Sequence, residues 1–282
     1  MQAILFSKIA GTGNDFLIID NRRDVVPDAD KSWFARAVCD RRRSVGADGV
    51  LFLERSAQCN FTMRLFNPDG LEGEMCGNGA RSIAYYAHVK GIAPREMRFD
   101  TLAGVVDGAI TDLGVKVRLW RLDAVLPERR ELEVAGNLLE AHYIQVGVPH
   151  VVIFQQGVDR AVDATIDRLG REIRFHPAFP NGTNVNFVSV TGIHDLTIRT
   201  YERGVEAETL ACGTGSVAAS LAAHQLFGVE SPVRLKTRGG LIQVTFAQSP
   251  SGWDIFLEGE VRHIMDGVIM PGAWTWKEAG QT

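Results

Sequence analysis

Two of the four cysteines in this 282-residue chain stand in matching surroundings. Glu74-Met75-Cys76-Gly77-Asn78-Gly79-Ala80-Arg81 and Leu210-Ala211-Cys212-Gly213-Thr214-Gly215-Ser216-Val217 share a cysteine, a Gly-x-Gly and a following run of small and apolar residues. The Gly-x-Gly predicts a sharp backbone turn, and the runs that follow, residues 82–87 and 218–223, predict helices. Each cysteine then precedes a helix N-terminus, where unpaired N–H groups and the positive end of the helix dipole favour an anion, so a thiolate forms more readily than in free cysteine. Two such thiols suit inversion at a carbon beside a carboxylate: one removes a proton from one face and the other returns a proton to the opposite face. Two neighbouring thiolates repel, so the pair would hold one proton between them, giving one base and one acid. The Gly-x-Gly amides would bind the carboxylate and the enolate-like charge that develops on it. Cys39, on an apolar-periodic stretch, is instead predicted to be buried filler, and Cys59 a loop residue before a strand.

The scaffold that must position these residues is itself repeated. At one constant offset Cys76 maps to Cys212, His88 to His224, Arg98 to Arg234, Thr101 to Thr237 and Gly104 to Gly240. Upstream, Arg64-Leu65-Phe66-Asn67 pairs with Arg199-Thr200-Tyr201-Glu202 after a one-residue gap. Two similar domains are therefore expected: residues 1–113 with a C-terminal segment from about 264 to 282, carrying Cys76, and residues 114–263, carrying Cys212. If they pack about a pseudo-two-fold axis, both helix N-termini can address one cleft.

A chain with 45% apolar residues is long enough for two buried cores. The net charge of −4 and the lack of a long basic stripe argue against nucleic acid as a partner. No apolar run approaches a membrane span and the N-terminus lacks the pattern of a signal peptide, so a cytoplasmic protein with no membrane partner is expected. The cysteine spacings contain no zinc pattern and do not suggest a disulfide framework; no metal is expected.

Along the chain, residues 4–9 predict a strand, and Gly11-Thr12-Gly13-Asn14 a tight hairpin-like turn that displays Asn14 ahead of a second strand, which excludes a dinucleotide fingerprint. A helix over 30–41 and a strand over 50–54 follow. Residues 60–66 alternate like a strand ending in the turn Asn67-Pro68-Asp69-Gly70. The helix over 80–89 is apolar on nearly every face, so it should be wrapped by sheet. The second half repeats the theme, with strands near 132–134, 141–146 and 151–154, His150 in a turn between the last two, a helix over 163–171, and a turn at Pro180-Asn181-Gly182-Thr183-Asn184 leading into a strand over 185–190. Glu202, Arg203 and the asparagines at 14, 67 and 184 supply an acceptor for an ammonium and donors for carboxylates, which is what a zwitterionic substrate needs.

Taken in order, Gly11-Thr12-Gly13-Asn14-Asp15-Phe16, Phe66-Asn67-Pro68-Asp69-Gly70, Cys76-Gly77-Asn78-Gly79-Ala80-Arg81, Gly182-Thr183-Asn184, Tyr201-Glu202-Arg203-Gly204 and Glu208-Thr209-Leu210-Ala211-Cys212-Gly213-Thr214-Gly215 resemble diaminopimelate epimerase over nearly the whole chain. The resemblance implies an α+β fold of two pseudo-symmetric domains, each a mostly antiparallel or mixed sheet rolled around a central helix. It also implies a homodimer and a cofactor-independent isomerase that interconverts LL- and meso-2,6-diaminopimelate in lysine and peptidoglycan biosynthesis. By the same resemblance Cys76 and Cys212 are the acid–base pair, with His150 and Glu202 as further catalytic groups. Asn14, Asn67, Asn184, Glu202 and Arg203 would bind the distal end of diaminopimelate, while Gly77, Asn78, Gly213 and Thr214 hold the carboxylate at the reacting centre. This chain departs from the usual pattern at Ala10, at Val148, which cannot donate a hydrogen bond, and in the loop Val205-Glu206-Ala207, which is one residue longer than the commonest form. Proline or hydroxyproline racemases use facing cysteines in a similar way, but proline lacks the second charged end that Glu202 and Arg203 would serve. A non-catalytic amino-acid-binding domain of the same fold is the alternative from another class.

Overall fold

The structure, a computed structural model, describes residues 3–122, 126–250 and 252–275. The chain divides into two compact units, Met1–Val117 with Glu260–Thr282, and Arg118–Gly259.

The first unit begins with β1 (Ile4–Gly11), β2 (Asn14–Asp20), α1 (Asp28–Cys39), β3 (Gly49–Glu54), β4 (Phe61–Phe66) and β5 (Glu72–Gly73). It continues through α2 (Gly77–Val89), β6 (Glu96–Thr101), β7 (Gly104–Thr111) and the start of β8 (Gly114–Leu122). β1 pairs antiparallel with β2, β2 runs parallel to β3 across α1, and β3 pairs antiparallel with β4. β4 shares its other edge between β5, antiparallel, and β6, parallel across α2; β7 and β8 follow antiparallel. Residues 17–19 and 50–53 are buried throughout because helices cover both faces of the β2–β3 pair, which is why these strands read as apolar runs instead of alternating. On one face Phe34 of α1 meets Phe52 and Trp274, with ring centroids 5.9 and 5.3 Å away. On the other lies α2, packed against β1, β2, β3, β4 and β7. Its small residues Ala80, Ala84 and Ala87, all fully buried, let the sheet close around it.

The second unit contains β9 (Glu128–Val134), β10 (Asn137–Val146), β11 (Val148–Phe154), α3 (Asp163–Arg174), β12 (Asn184–Gly192), β13 (Asp195–Glu202) and β14 (Ala207–Thr209). It ends with α4 (Gly213–Phe227), β15 (Val233–Thr237), β16 (Gly240–Ser249) and β17 (Gly252–Gly259). The pairing steps of the first unit recur in order. β11 runs parallel to β12 across α3, β13 runs parallel to β15 across α4, and β14 takes the remaining edge of β13. α4, buried from Gly215 to Ala223, is enclosed by β10, β11, β12, β13, β16 and β17. The chain then returns to the first unit as β18 (Val261–Ile269), antiparallel to β1 from Ile4↔Ile269 onward, just as β9 flanks β10. Each unit is thus α+β, a mixed sheet rolled around one helix, as expected.

Three local differences have physical causes. α1 begins at Asp28, where two acidic residues, Asp28 and Asp30, occupy the positive end of the helix. The strand expected at 132–134 starts at Glu128, since charged residues alternate on its open face. β18 escapes a period-two reading because residues 262–266 are exposed on both faces. The region after Pro271 contributes Trp274 to the core beside α1, and Trp33 Nε1 donates to the Trp274 carbonyl at 2.8 Å.

Candidate active site

In both units the cysteine is the residue capping the buried helix. Cys76 (φ −140°, ψ 121°) and Cys212 (φ −119°, ψ 116°) are extended, and their carbonyls accept the first intrahelical bonds, from Ala80 N–H at 2.7 Å and Ser216 N–H at 2.9 Å. Neither helix has an acidic residue in its first turn, so no carboxylate of that turn neutralises the positive end. The sharp turn expected at each Gly-x-Gly is absent: Gly77, Gly79, Gly213 and Gly215 lie within the first helical turns, and none has positive φ. What some of these glycines supply is space. A Cβ at Gly215 would overlap Asn186 Oδ1 and stand 3.3 Å from Cys212 Sγ, and one at Gly213 would stand 2.9 Å from Leu257 Cδ2.

Around Cys76, the β1–β2 hairpin turns through Thr12 (φ 51°) and Gly13 (φ 86°), a two-residue turn with both φ positive, and delivers Asn14 to the sulfur. Cys76 Sγ lies 3.8 Å from Asn14 Oδ1. The Asn14 amide is oriented by Asp48, which accepts from Asn14 Nδ2 at 2.8 Å and from the Asp15 N–H at 3.1 Å. Burial works to raise the Asp15 carboxyl, but hydrogen bonds from Arg41 and Lys8 outweigh it and hold it at about 2, so Asp15 is ionised at neutral pH. Asn67 closes the Asn67–Gly70 turn through its backbone, with Gly70 (φ 81°) donating to its carbonyl at 2.9 Å. Asn78, on the first turn of α2, is buried, and its Oδ1 accepts from Arg81 Nη2 at 2.9 Å.

Arg81 is a residue whose importance the sequence does not announce. Its side chain is fully buried and, among the described residues, donates only to neutral acceptors: Thr12 Oγ1 at 2.7 Å, Asn78 Oδ1 at 2.9 Å and the Gly77 carbonyl at 3.3 Å, with Nε unpartnered there. It pins the strained Thr12 turn to the first turn of α2 and places a guanidinium under the Cys76 end of the helix. Burial pulls its pKa down to about 10, so it remains charged at neutral pH. The matching position on α4 is Val217, also fully buried.

In the second unit, Cys212 Sγ accepts from Gly215 N–H at 3.4 Å and sits 3.5 Å from Thr214 Oγ1. His150, expected in a turn, is within strand β11 and fully buried, paired with Ile144 on one side and Asn184 on the other. Its Nδ1 is 3.1 Å from Asn186 Nδ2, which makes it the acceptor and leaves the proton on Nε2, an atom with no partner among the described residues. Burial pushes the imidazole down to about 3, so it is neutral and offers one N–H. Asn186 was not singled out from sequence. Fully buried, it bonds His150, the Val151 carbonyl at 3.1 Å and Thr200 Oγ1 at 3.0 Å, and so fixes the ring that lies beside α4. Asn184 likewise ties two elements, donating to the Pro149 carbonyl at 3.0 Å and accepting the Arg203 N–H at 2.9 Å.

Glu202 and Arg203 are adjacent, and neither forms an ion pair among the described residues. Glu202 accepts from Thr209 Oγ1 at 2.9 Å, and burial raises its pKa. Arg203 Nη1 donates to the Asn181 carbonyl at 3.2 Å. Nearby carboxylates are neutralised: Glu206 by Arg174 at 2.9 Å and Glu208 by Arg199. The lead-in to each cysteine is clamped in the same way. Arg64 of β4 grips Glu72 of β5 through two bonds, at 2.6 and 2.8 Å, and reaches Asp28 at the start of α1. Arg199 of β13 grips Glu208 of β14 through two bonds, at 2.6 and 2.5 Å, and reaches Asp163 at the start of α3. Glu72 and Glu208 each stand four residues before their cysteine, so a paired, two-pronged contact sets where each sulfur begins.

Among the described residues there is no cluster of three or more side chains able to hold a metal, and no helix is long and apolar enough to cross a membrane. Each unit therefore presents a cysteine-capped helix with no acidic residue in its first turn, and the unit of Cys212 adds a neutral imidazole and a Glu–Arg couple with no ion pair among the described residues.

Comparison with known proteins shows which fold and which family this chain shares. The fold is shared with a phenazine biosynthesis protein of the PhzF family from Bacillus anthracis (TM-score 0.73, 16% identity, covering 96% of this chain and 100% of that one). It is shared too with a probable proline racemase from Agrobacterium radiobacter (TM-score 0.68, 14% identity, 95% and 93%). In sequence, the chain is 40% identical over 278 residues to a diaminopimelate epimerase of a Hydrogenobaculum species, covering 94% of this chain and 98% of that protein. It is 38% identical over 274 residues to one from Aquifex aeolicus, covering 93% and 96%. The family model described as diaminopimelate epimerase matches residues 6–121 and 142–264, and the chain belongs to that family.

Proposed function

We propose that this chain interconverts LL- and meso-2,6-diaminopimelate by a two-base mechanism in which Cys76 and Cys212 act as thiolate and thiol. The observation that carries the reading is the duplicated placement of a cysteine as cap of a buried helix whose first turn holds no acidic residue. The thiolate of one cysteine removes the α-proton, and the thiol of the other delivers a proton to the opposite face. The amides of Gly77, Asn78, Gly213 and Thr214 receive the carboxylate and the negative charge that grows on it. His150, neutral with a free Nε2–H, donates to that end of the substrate. The distal amino acid end is taken by Glu202, which accepts from its ammonium, and by Arg203, which donates to its carboxylate; Asn14, Asn67 and Asn184 complete the polar frame. Neither charged residue has an ion-pair partner among the described residues, which favours a substrate bringing both charges. The chemistry assigned to these residues calls on no cofactor.

Two further assignments accompany this reading. The domain carrying Cys76 is residues 1–113 with about 264–282, and that carrying Cys212 is 114–263. The protein works in the cytoplasm as a homodimer, for which the cross-strand pair Leu5 and Val268, 75% and 51% exposed on β1 and β18, offers an apolar surface.

The test is proton exchange in heavy water. With LL-diaminopimelate and no added cofactor, the expected result is meso product carrying deuterium at one α-carbon, lost in Cys76→Ala and in Cys212→Ala. Exchange into proline but not into diaminopimelate would overturn the assignment in favour of a racemase.

A further inference from the structure

The loop that presents Glu202 and Arg203 is held from outside by a residue that touches none of the groups assigned to substrate. β13 and β14 are joined through residues 203–206, with Glu202↔Ala207 as the closing pair. Glu206, in the left-handed region at φ 59°, donates its N–H to the Glu202 carbonyl at 2.9 Å, and its Oε1 accepts the Gly204 N–H at 3.0 Å. The same oxygen accepts Arg174 Nη2 at 2.9 Å and Nε at 3.2 Å, while Oε2 is buried without a partner. Arg174 is the last residue of α3, and its guanidinium crosses the Gly182 turn so closely that a Cβ at Gly182 (φ 65°) would fall on it. That turn is the one that supplies Asn181 and Asn184, whose oxygens hold Arg203. One half-buried arginine therefore joins the end of α3, the Asn181–Asn184 turn and the Glu202–Glu206 loop.

We propose that Arg174 and Glu206 form a latch that sets recognition of the distal, charged end of the substrate, acting as positioning residues for Glu202 and Arg203. A backbone bearing an unpaired acid and an unpaired base gains selectivity only if the two are held at a fixed spacing, because a mobile loop would let either group turn to solvent or to the other. The latch is remote from both cysteines in its connections: it leaves the helix caps and the Arg199–Glu208 clamp intact. Its loss therefore weakens binding without touching proton transfer. This inference rests on the epimerase reading.

The experiment compares wild type with Arg174→Met, Glu206→Gln, Gly182→Ala and Arg174→Lys, measuring KM and kcat for LL-diaminopimelate together with thermal unfolding. For the first three the expected result is a rise in KM of about tenfold with kcat within about twofold, the scale of a displaced charge-assisted hydrogen bond. Arg174→Lys, which keeps one donor, should recover part of the loss. 2-Aminopimelate, which lacks the distal ammonium, should show a smaller difference between wild type and variants. An unchanged KM in folded Glu206→Gln and Arg174→Met would overturn the latch, as would a fall in kcat at constant KM. If wild type itself lacks epimerase activity, it is the functional reading that fails, and the two failures are distinguishable.

Discussion

Replacing Gly215 with alanine adds one methyl group at the third residue of α4, and the structure makes its cost calculable against a built-in control. A Cβ there overlaps Asn186 Oδ1. Asn186 cannot swing aside freely, because it is fully buried and its amide already bonds His150, Val151 and Thr200. Either the helix cap shifts or Asn186 gives up bonds worth about 1 kcal/mol each. Overpacking a filled site costs about 1–3 kcal/mol, more than the 0.4–1 kcal/mol that Gly→Ala returns by restricting the unfolded chain. At the equivalent Gly79 the nearest atoms are Leu51 Cδ2 at 3.4 Å and Cys76 Cβ and Met63 Cε at 3.5 Å, an ordinary fit beside flexible side chains. The two substitutions, alike in sequence, should thus diverge in urea denaturation. Gly79→Ala should be neutral or up to about 1 kcal/mol more stable, and Gly215→Ala less stable by about 1–3 kcal/mol. In Gly215→Ala epimerase activity should fall as well, because the displaced Asn186 releases His150. Equal stability changes in the two variants would refute the claim that the glycines differ in the room they guard.

His150 makes stability pH-dependent with a definite sign. Its folded pKa of about 3 lies below the ordinary 6.5, so between those values the unfolded chain binds the proton and the native state does not. Stability should fall by up to about 1.4 kcal/mol per pH unit as pH drops from 6.5 toward 3, and urea titrations of His150→Asn should show a shallower acid limb. For Glu202, burial raises the folded pKa, so ionisation costs stability as pH rises through the carboxyl range. Glu202→Gln should unfold at a higher temperature than wild type at pH 7 while losing activity; a drop in thermal stability would mean the carboxylate is compensated by a group other than Thr209.

What could be seen in the sequence was what depends on local spacing. The cysteine before a small-residue helix, the repeated offset, and the buried α2 and α4 follow from residue types a few positions apart, and the rolled α+β fold follows from a helix with no polar face. Contacts that join distant strands were hidden. Asp48 matters because β2 and β3 are parallel and bring it to Asn14, and Asn186 matters because β12 sits between β11 and β13. Pro149 misdirected the placement of His150. Proline suggests a turn, yet here it is the second residue of β11, tolerated near the strand's start, while Gly147 alone (φ 68°) makes the bend. Gly-x-Gly predicts a turn through its flexibility, whereas the fold uses the small size of Gly213 and Gly215 within a helical turn.

Duplication explains the frame, and divergence within it explains the specificity. Both halves retain the helix cap, the clamp from arginine to a carboxylate four residues before the cysteine, and the same strand order, because proton transfer on either face of a carbon makes the same demand of each. Under the proposed reading, the distal end of the substrate makes its demand once. Among the described residues, the charged couple Glu202–Arg203 and the neutral His150 belong to the unit of Cys212, whereas the buried guanidinium of Arg81 belongs to that of Cys76, with Val217 in its place on the other helix. Each of these single features costs stability, as an unpaired carboxylate, an uncharged imidazole or an arginine with no carboxylate partner does when removed from water. Glu202, Arg203 and His150 burden folding in one copy alone and so are the candidates for recognition, whereas Arg81 burdens it in the other while tying the Thr12 turn to α2, a task of architecture.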